Sequence, residues 1–234
     1  MPDYLSSELG PMALAHNYYR WIMREFRPHL WNVVCELGAG IGTFSSLLLE
    51  EDIQQLILVE PAHNLFAYLR DHFTTEARVQ VVNGEIERHA ERLRQGRVDT
   101  IVSVNVLEHI DDDHRTLATI TKILSFGGTL LLFVPALPWL FGSLDATFGH
   151  FRRYRKTELE EKVTEAGFQI LDLKFMNFPG IVTWFVAGRI LRSSTISPLM
   201  VRSYDRLIIP IVKAIESRIT APLGQSLMLI AQLT

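Results

Sequence analysis

Val33-Val34-Cys35-Glu36-Leu37-Gly38-Ala39-Gly40-Ile41-Gly42-Thr43-Phe44-Ser45 is the stretch on which the reading of the chain turns. A β-rich run ends at Glu36-Leu37, three glycines follow within five residues, and Thr43 opens an apolar segment compatible with a helix. Strand, tight turn and helix start together make a ligand cradle. Glycines admit positive φ and close approach by a ligand, and the first N–H groups of the helix point at whatever binds. The spacing Gly38-x-Gly40-x-Gly42 is not the Gly-x-Gly-x-x-Gly of a dinucleotide site, and no Lys-Ser/Thr pair follows, which disfavours a phosphate loop.

Outward from this turn, apolar runs alternate with helix-compatible segments. Leu56 to Pro61 reads as a second strand, apolar until Glu60 because both faces of a parallel sheet are covered. Glu60 at its end, with Pro61 breaking the ladder, suits a carboxylate that accepts both hydroxyls of a ribose. Val79 to Val82 predicts a third strand running into Asn83-Gly84-Glu85-Ile86, with a solvated helix over 87–95. Val98 to Val104 predicts a fourth strand ending in Asn105-Val106-Leu107-Glu108-His109-Ile110, and Asp111 to Asp113 favour the start of a helix over 114–125. Thr129 to Pro135 reads as the fifth strand, Thr157 with Glu160 as a capping box for a helix over 157–166, and 168–175 as the sixth strand. Before the glycine turn, residues 12–31 carry apolar side chains at helical spacing up to a break near Pro28.

Glu36-Leu37-Gly38-Ala39-Gly40-Ile41-Gly42 resembles the first motif of the Rossmann-like class of S-adenosylmethionine-dependent methyltransferases, of the bacterial small-molecule type. Asn105 to Ile110 and the Gly127-Gly128, strand, Pro135 pattern resemble later motifs in the order that fold requires. The resemblance spans roughly residues 30–170. It implies a doubly wound α/β sheet of seven mostly parallel strands, the last one, Leu227 to Leu233, antiparallel. It also implies one methyltransferase domain with a helical cap (1–31), a cofactor core (32–175), a helical lid (176–220) and a final strand (221–234). The implied cofactor is S-adenosyl-L-methionine. Glu36, Gly38, Ala39, Gly40 and Gly42 would lie beside its methionine and ribose. Tyr18 or Tyr19 of the cap would meet the carboxylate, Glu60 and Pro61 the ribose, and Gly84, Glu85 and Ile86 the adenine. Asn105, Val106 and His109 would shape the pocket.

Gly149-His150-Phe151-Arg152-Arg153-Tyr154-Arg155 resembles a Gly-His-x-Arg-Arg-Tyr signature on the acceptor side of some of these enzymes. His150 is a candidate base, since an imidazole titrates near neutrality, and Asp145, Tyr154 and His109 are the alternatives. Arg152 and Arg153 suit an anionic group, and Trp139, Phe141 and Trp184 suit an apolar acceptor. Glu108-His109 lacks a third and fourth ligand nearby in sequence, so no metal is expected.

The chain has 234 residues, a net charge of −3 and a single cysteine, Cys35. That length suits one α/β core with an elaboration, and the charge disfavours a nucleic-acid surface. A lone cysteine in a strand forms no internal disulfide and reads as a structural thiol. With Asp3 and Glu8 and no apolar run after Met1, the start does not read as a secretory signal, so a cytoplasmic location is expected. Residues 181–191 and 207–212 are strongly apolar but fall short of the roughly 20 residues of a membrane span. A lid over an acceptor pocket is the first reading, a homodimer face the second and a membrane-contact surface the third. Transfer of methyl to oxygen or carbon of a hydrophobic small molecule is expected, because the Asn/Asp-Pro-Pro-Tyr/Phe segment of amino-methylating nucleic-acid enzymes is absent. The alternatives are a lipid or glycolipid headgroup as acceptor, or a non-catalytic cofactor-binding partner subunit.

Overall fold

The computed structural model describes residues 8–234, so Asp3 and the start of the expected cap lie outside the described residues. Seven strands, β1 (Val33–Leu37), β2 (Gln55–Glu60), β3 (Val79–Asn83), β4 (Val98–Val104), β5 (Leu124–Pro135), β6 (Phe168–Met176) and β7 (Ser226–Leu233), form one sheet in the order β3-β2-β1-β4-β5-β7-β6. β1 to β5 pair in parallel, and β7 runs antiparallel between β5 and β6. The strand order reverses between β1 and β4. In an open α/β sheet this opens a crevice at the carboxyl ends of those two strands.

The helices are α1 (Leu9–Met12), α2 (His16–Phe26), α3 (Thr43–Leu48), α4 (His63–His72), α5 (Ala90–Gln95), α6 (Asp113–Ile123), α7 (Ser143–Thr147), α8 (Lys156–Glu165), α9 (Gly180–Phe185), α10 (Pro198–Leu207) and α11 (Ile209–Glu216). Alternation along the strands sends Val34, Leu56 and Leu58 to one face, packed with Ile22 and Phe26 of α2, Phe44 of α3 and Val212 of α11. Cys35, Ile57 and Val59 go to the other, with Leu93 of α5, Leu117 of α6 and Leu159 of α8. Tyr18, Ile22 and Phe26 recur every four residues and are all buried, which fixes the face α2 turns inward. Burial of Ile22 and Phe26 alone supplies about 1.5–3 kcal/mol each. Cys35 is fully buried, and burial pushes its thiol up to about 12, which leaves it no nucleophilic role near neutral pH.

Several element boundaries differ from the sequence expectations. α6 ends at Ile123 and β5 begins at Leu124, because Leu124 pairs with Val98 ahead of an irregularity in the β4–β5 register. The segment expected as one solvated helix over 87–95 is a 3-10 turn, Ile86–His89, followed by α5, and it buries Ile86 and Leu93. α8 starts one residue early, so the expected Thr157–Glu160 capping box gives way to Arg155, whose N–H donates to Glu158 at 3.5 Å. Asp112 caps α6 by accepting from the Arg115 N–H at 3.0 Å.

Between β6 and β7 the chain makes a helical excursion. α9 continues as a π-helix, Val186–Ile190, and α10 and α11 follow. α10 is fastened to α2 by Asp205, buried at 3 % exposure. Its carboxylate accepts from the backbone N–H groups of Asn17 and Tyr18 at 3.0 and 2.9 Å, which have no partner within the first turn of α2. The excursion keeps Leu199, Leu207, Ile211 and Ile219 exposed. Among the described residues no helix is long and apolar enough to cross a membrane.

Candidate active site

A cavity of about 1460 Å³ opens at the carboxyl ends of β1 and β4 and extends beneath α9 and α10. Glu36, Gly38, Ala39, Gly40, Glu60, Pro61, Gly84, Glu85, Ile86, Asn105, Val106 and His109 all line it, together with Tyr18 and Tyr19. Gly40 sits at φ +58°, and a Cβ there would project toward the cavity with only Leu9 within 4 Å. Gly42, also expected at the cofactor, is instead the N-cap of α3; a Cβ there would strike Phe73 at 2.8 Å. Its role is packing of α3 on α4. Asn105 adopts φ +54° at the end of β4, a conformation asparagine tolerates better than branched residues.

The two strand-end carboxylates differ in environment. Glu60 accepts from the Gly40 and Ala62 N–H groups, each at 2.9 Å, so its oxygens are aimed while lone pairs stay available. Burial raises its pKa, and those two N–H groups pull it back. Glu36 is fully buried and accepts from the Ser45 hydroxyl. Burial drives its carboxyl up to about 8, with Ser45 opposing and the Glu60 charge adding to the rise. Tyr18 shares a hydrogen bond with Ser226 at 3.3 Å, and burial pushes its phenol up to about 12.

The far end of the cavity is organised by Asp145 of α7, whose buried carboxylate takes four donors. Oδ1 accepts from His150 Nδ1 at 2.9 Å and from Arg153 Nε at 2.7 Å. Oδ2 accepts from the Gly142 N–H at 2.9 Å and from Trp184 Nε1 at 3.0 Å. Burial alone would raise the Asp145 pKa, but these donors hold it below the usual carboxylate value. The Arg153 guanidinium also stacks on Trp184, 4.8 Å from the ring centroid. His150 and His109 meet edge to face with ring centroids 4.6 Å apart. Burial, with the neighbouring His150 adding to it, holds His109 down to about 4, and the nearby Gly149 backbone opposes the fall. Glu108 beside them is fully buried with neither carboxylate oxygen hydrogen-bonded, and burial raises it to about 7.

Not every expected acceptor-side residue reaches the cavity. Tyr154 is fully buried behind it, its hydroxyl donating to Asp113 at 2.9 Å, and burial drives its phenol far up. Arg152 turns to Asp113 at 2.9 Å and to the Asp111 carbonyl. Trp139 is half exposed near Phe185, and the Phe141 carbonyl accepts from Arg189; neither side chain lines the cavity. His150, Arg153 and Trp184 do line it, and Phe148, Asn177 and Tyr204 join them without having been singled out in the sequence. Nothing local marks those three. The Tyr204 hydroxyl finds the Asn177 side chain at 2.7 Å across 27 residues of chain.

The model of a methyltransferase domain family matches residues 14–173. The chain belongs to this methyltransferase domain family. No curated protein sequence matches it. Among solved structures it is similar to a SAM-dependent methyltransferase from Archaeoglobus fulgidus, at 16% identity, TM-score 0.61, covering 93% of this chain and 94% of that one. A putative sarcosine dimethylglycine methyltransferase from Galdieria sulphuraria is similar at 15% identity, TM-score 0.62, with 93% and 85% covered. The [4+2]-cyclase SpnF is similar at 16% identity, TM-score 0.60, with 92% and 79% covered. The fold is the Rossmann-like methyltransferase fold, and with the family the cofactor is S-adenosyl-L-methionine. The residues present fit it: a Cβ at Gly40 would meet no backbone, only the Leu9 side chain among the described residues, and Glu60 is held with both oxygens aimed.

Proposed function

We propose that the protein transfers a methyl group to an oxygen or carbon of a hydrophobic small molecule. The observation that carries this reading is the single cavity joining the glycine turn and Glu60 to the His150–Asp145 pair beneath Trp184 and α10. S-adenosyl-L-methionine supplies an electrophilic methyl at the β1–β4 crevice. Glu60 would hold the ribose, Tyr18 and Tyr19 would face the methionine end, and Glu85 and Ile86 the adenine. Phe148 and Trp184 would bound an apolar acceptor and exclude water, and Arg153 would offer positive charge to an anion formed on it. His150, steered by Asp145 through Nδ1, would receive or relay the acceptor proton at its other nitrogen. Such help is worth about 100-fold to 10,000-fold in rate.

In this reading the helices between β6 and β7 are a lid, with the homodimer and membrane-contact readings behind it, and the protein works in the cytoplasm. The test is transfer of labelled methyl from S-adenosyl-L-methionine in extracts fractionated by size and polarity. Label in a small, organic-soluble product is expected. Label in nucleic acid or protein overturns the acceptor class. Cofactor binding with no transfer in any fraction supports a non-catalytic subunit instead.

A further inference from the structure

Glu108, His109 and His150 each present one ligating atom, and these three atoms lie within 4.8 Å of one another at the cavity wall. Glu108 and His109 leave the end of β4, while His150 arrives from the loop after α7, so the set exists only in three dimensions. Two of its members are prepared for a ligand. The Glu108 carboxylate is fully buried, yet among the described residues neither oxygen has a hydrogen-bond partner, an arrangement that is unfavourable for an ionised carboxylate left alone. His150 commits Nδ1 to the buried carboxylate of Asp145 at 2.9 Å, leaving its second nitrogen free. The His109 ring stands edge to face against that of His150, with centroids 4.6 Å apart. A histidine oriented from behind by a carboxylate or carbonyl is the usual outer support of a metal ligand.

We propose that Glu108, His109 and His150 bind one divalent transition-metal cation of the zinc type, with an open coordination position facing the cavity. Two imidazole nitrogens and one carboxylate oxygen suit a borderline cation and not magnesium or calcium, which favour all-oxygen sites. Ligands about 2.1 Å from one tetrahedral ion stand about 3.4 Å apart, so the widest pair would close by about 1.4 Å at most. Such a shift lies within side-chain rotation. Charge supports it as well. Asp145 is matched by Arg153 at 2.7 Å, so Glu108 only shares the attraction of that cation and forms no close ion pair of its own among the described residues.

This inference rests on reading the His150 end of the cavity as the acceptor site, and it narrows the acceptor to one bearing a hydroxyl. A hydroxyl oxygen held at the open position would lose its proton more readily, the proton leaving to bulk solvent before the acceptor site closes to water. The oxygen's electron pair then forms the bond to the methyl carbon, and the carbon–sulfur bond breaks with its pair going to sulfur. His150 would in that case act as a ligand and not as the proton acceptor.

The test is equilibrium dialysis of the chelator-stripped full chain against Zn²⁺, with Co²⁺ as a spectroscopic probe and S-adenosylhomocysteine titrated into the same samples. One equivalent of metal per chain is expected, with visible Co²⁺ bands of a low-coordinate nitrogen and oxygen site. Glu108→Gln and His150→Gln should each weaken binding at least about 10-fold. Should the buried Glu108→Gln change prevent folding, the part-exposed His150→Gln decides alone. No stoichiometric binding by the parent protein, or affinity within about 3-fold of the parent in the folded variants, overturns the site. Loss of metal binding with homocysteine-analogue binding intact removes only this proposal, whereas loss of the latter removes the methyltransferase reading itself.

Discussion

With Glu36 at the proposed cofactor site, one residue would tie cofactor binding to pH. Its carboxyl is raised to about 8 by burial and by Glu60 at the other strand end. In the cofactor-free protein it therefore carries a proton that the unfolded chain has already lost above about 4.5. Because the folded state binds more protons across that window, its stability falls as pH rises from about 4.5 to about 8. In the proposed reading the ammonium of the cofactor's amino-acid end, which S-adenosylhomocysteine keeps, favours the ionised carboxylate, so binding should strengthen with pH up to about 8, by at most about tenfold per unit. Calorimetric titration with S-adenosylhomocysteine at pH 6, 7 and 8 checks this, and Glu36→Gln should flatten the dependence. Affinity that is level across that range in the parent protein rules the coupling out. Gly40→Val is a second residue-scale prediction. The variant should stay folded by circular dichroism but lose measurable cofactor binding, since a branched side chain would resist φ +58° and occupy the cradle.

Asp145 belongs to the same scale but bears on stability. Asp145→Asn would leave Arg153, itself buried at 3 % exposure, without its counter-charge. Breaking a buried pair from one side costs about 3–5 kcal/mol. For a chain of this size that lowers the melting temperature by roughly 6–20 °C. Differential scanning fluorimetry gives the answer directly. A shift below about 3 °C, under the range expected for a broken buried pair, would mean the pair is relieved by water. His150→Gln is accordingly the cleaner probe of chemistry, because it removes one donor from Asp145 without stranding a charge.

Among elements, the junction of α2 with α10 is the informative one. Asp205 joins them by accepting from two N–H groups that open α2, with Asn17 Nδ2 adding a third donor at 3.2 Å. Hydrogen bonds to a charged group contribute about 1.5–3 kcal/mol each, so Asp205→Ala should release α10 before it unfolds the sheet. Hydrogen exchange should speed up across residues 9–26 and 198–216 while the amides of β1 and β4 stay protected. Uniform loss of protection across all elements would instead make Asp205 part of the global core. α9 is held differently. Ser143 donates to the Gly188 and Ser193 carbonyls at 3.1 and 2.6 Å, and a Cβ on Gly142 would strike the Gly188 carbonyl at 2.7 Å, so backbone meets backbone there.

For the whole molecule, the sheet forms the floor of the cavity and the helices between β6 and β7 its roof. If that roof is a lid, limited proteolysis should cut first between α9 and α10, near residues 191–197. Cutting should slow when cofactor is present, since Leu191, Thr195 and Ile196 line the cavity that it enters. Cleavage indifferent to cofactor, together with sedimentation on anionic liposomes, would shift the exposed Leu199, Leu207, Ile211 and Ile219 to a membrane-contact role.

Sequence alone determined the sheet and the glycine turn at its centre, because both are written locally. Covered parallel strands read as apolar runs, and a Gly-rich turn between strand and helix reads as a cradle within ten residues. Glu36, Gly40 and Glu60 were legible for that reason, and the structure sets all three around one cavity. The acceptor end was legible only as a list of reactive residues. His150 stood out as a histidine, but nothing in the chain shows that Asp145 receives His150, Arg153, Trp184 and Gly142 together, or that Tyr154 turns away to Asp113. Glu108 and His109 lie about forty residues from His150, and spacing along the chain is blind to their meeting. Tertiary structure decided them, since side chains distant in sequence become neighbours only once the sheet order and the buried charges have set where each loop lands.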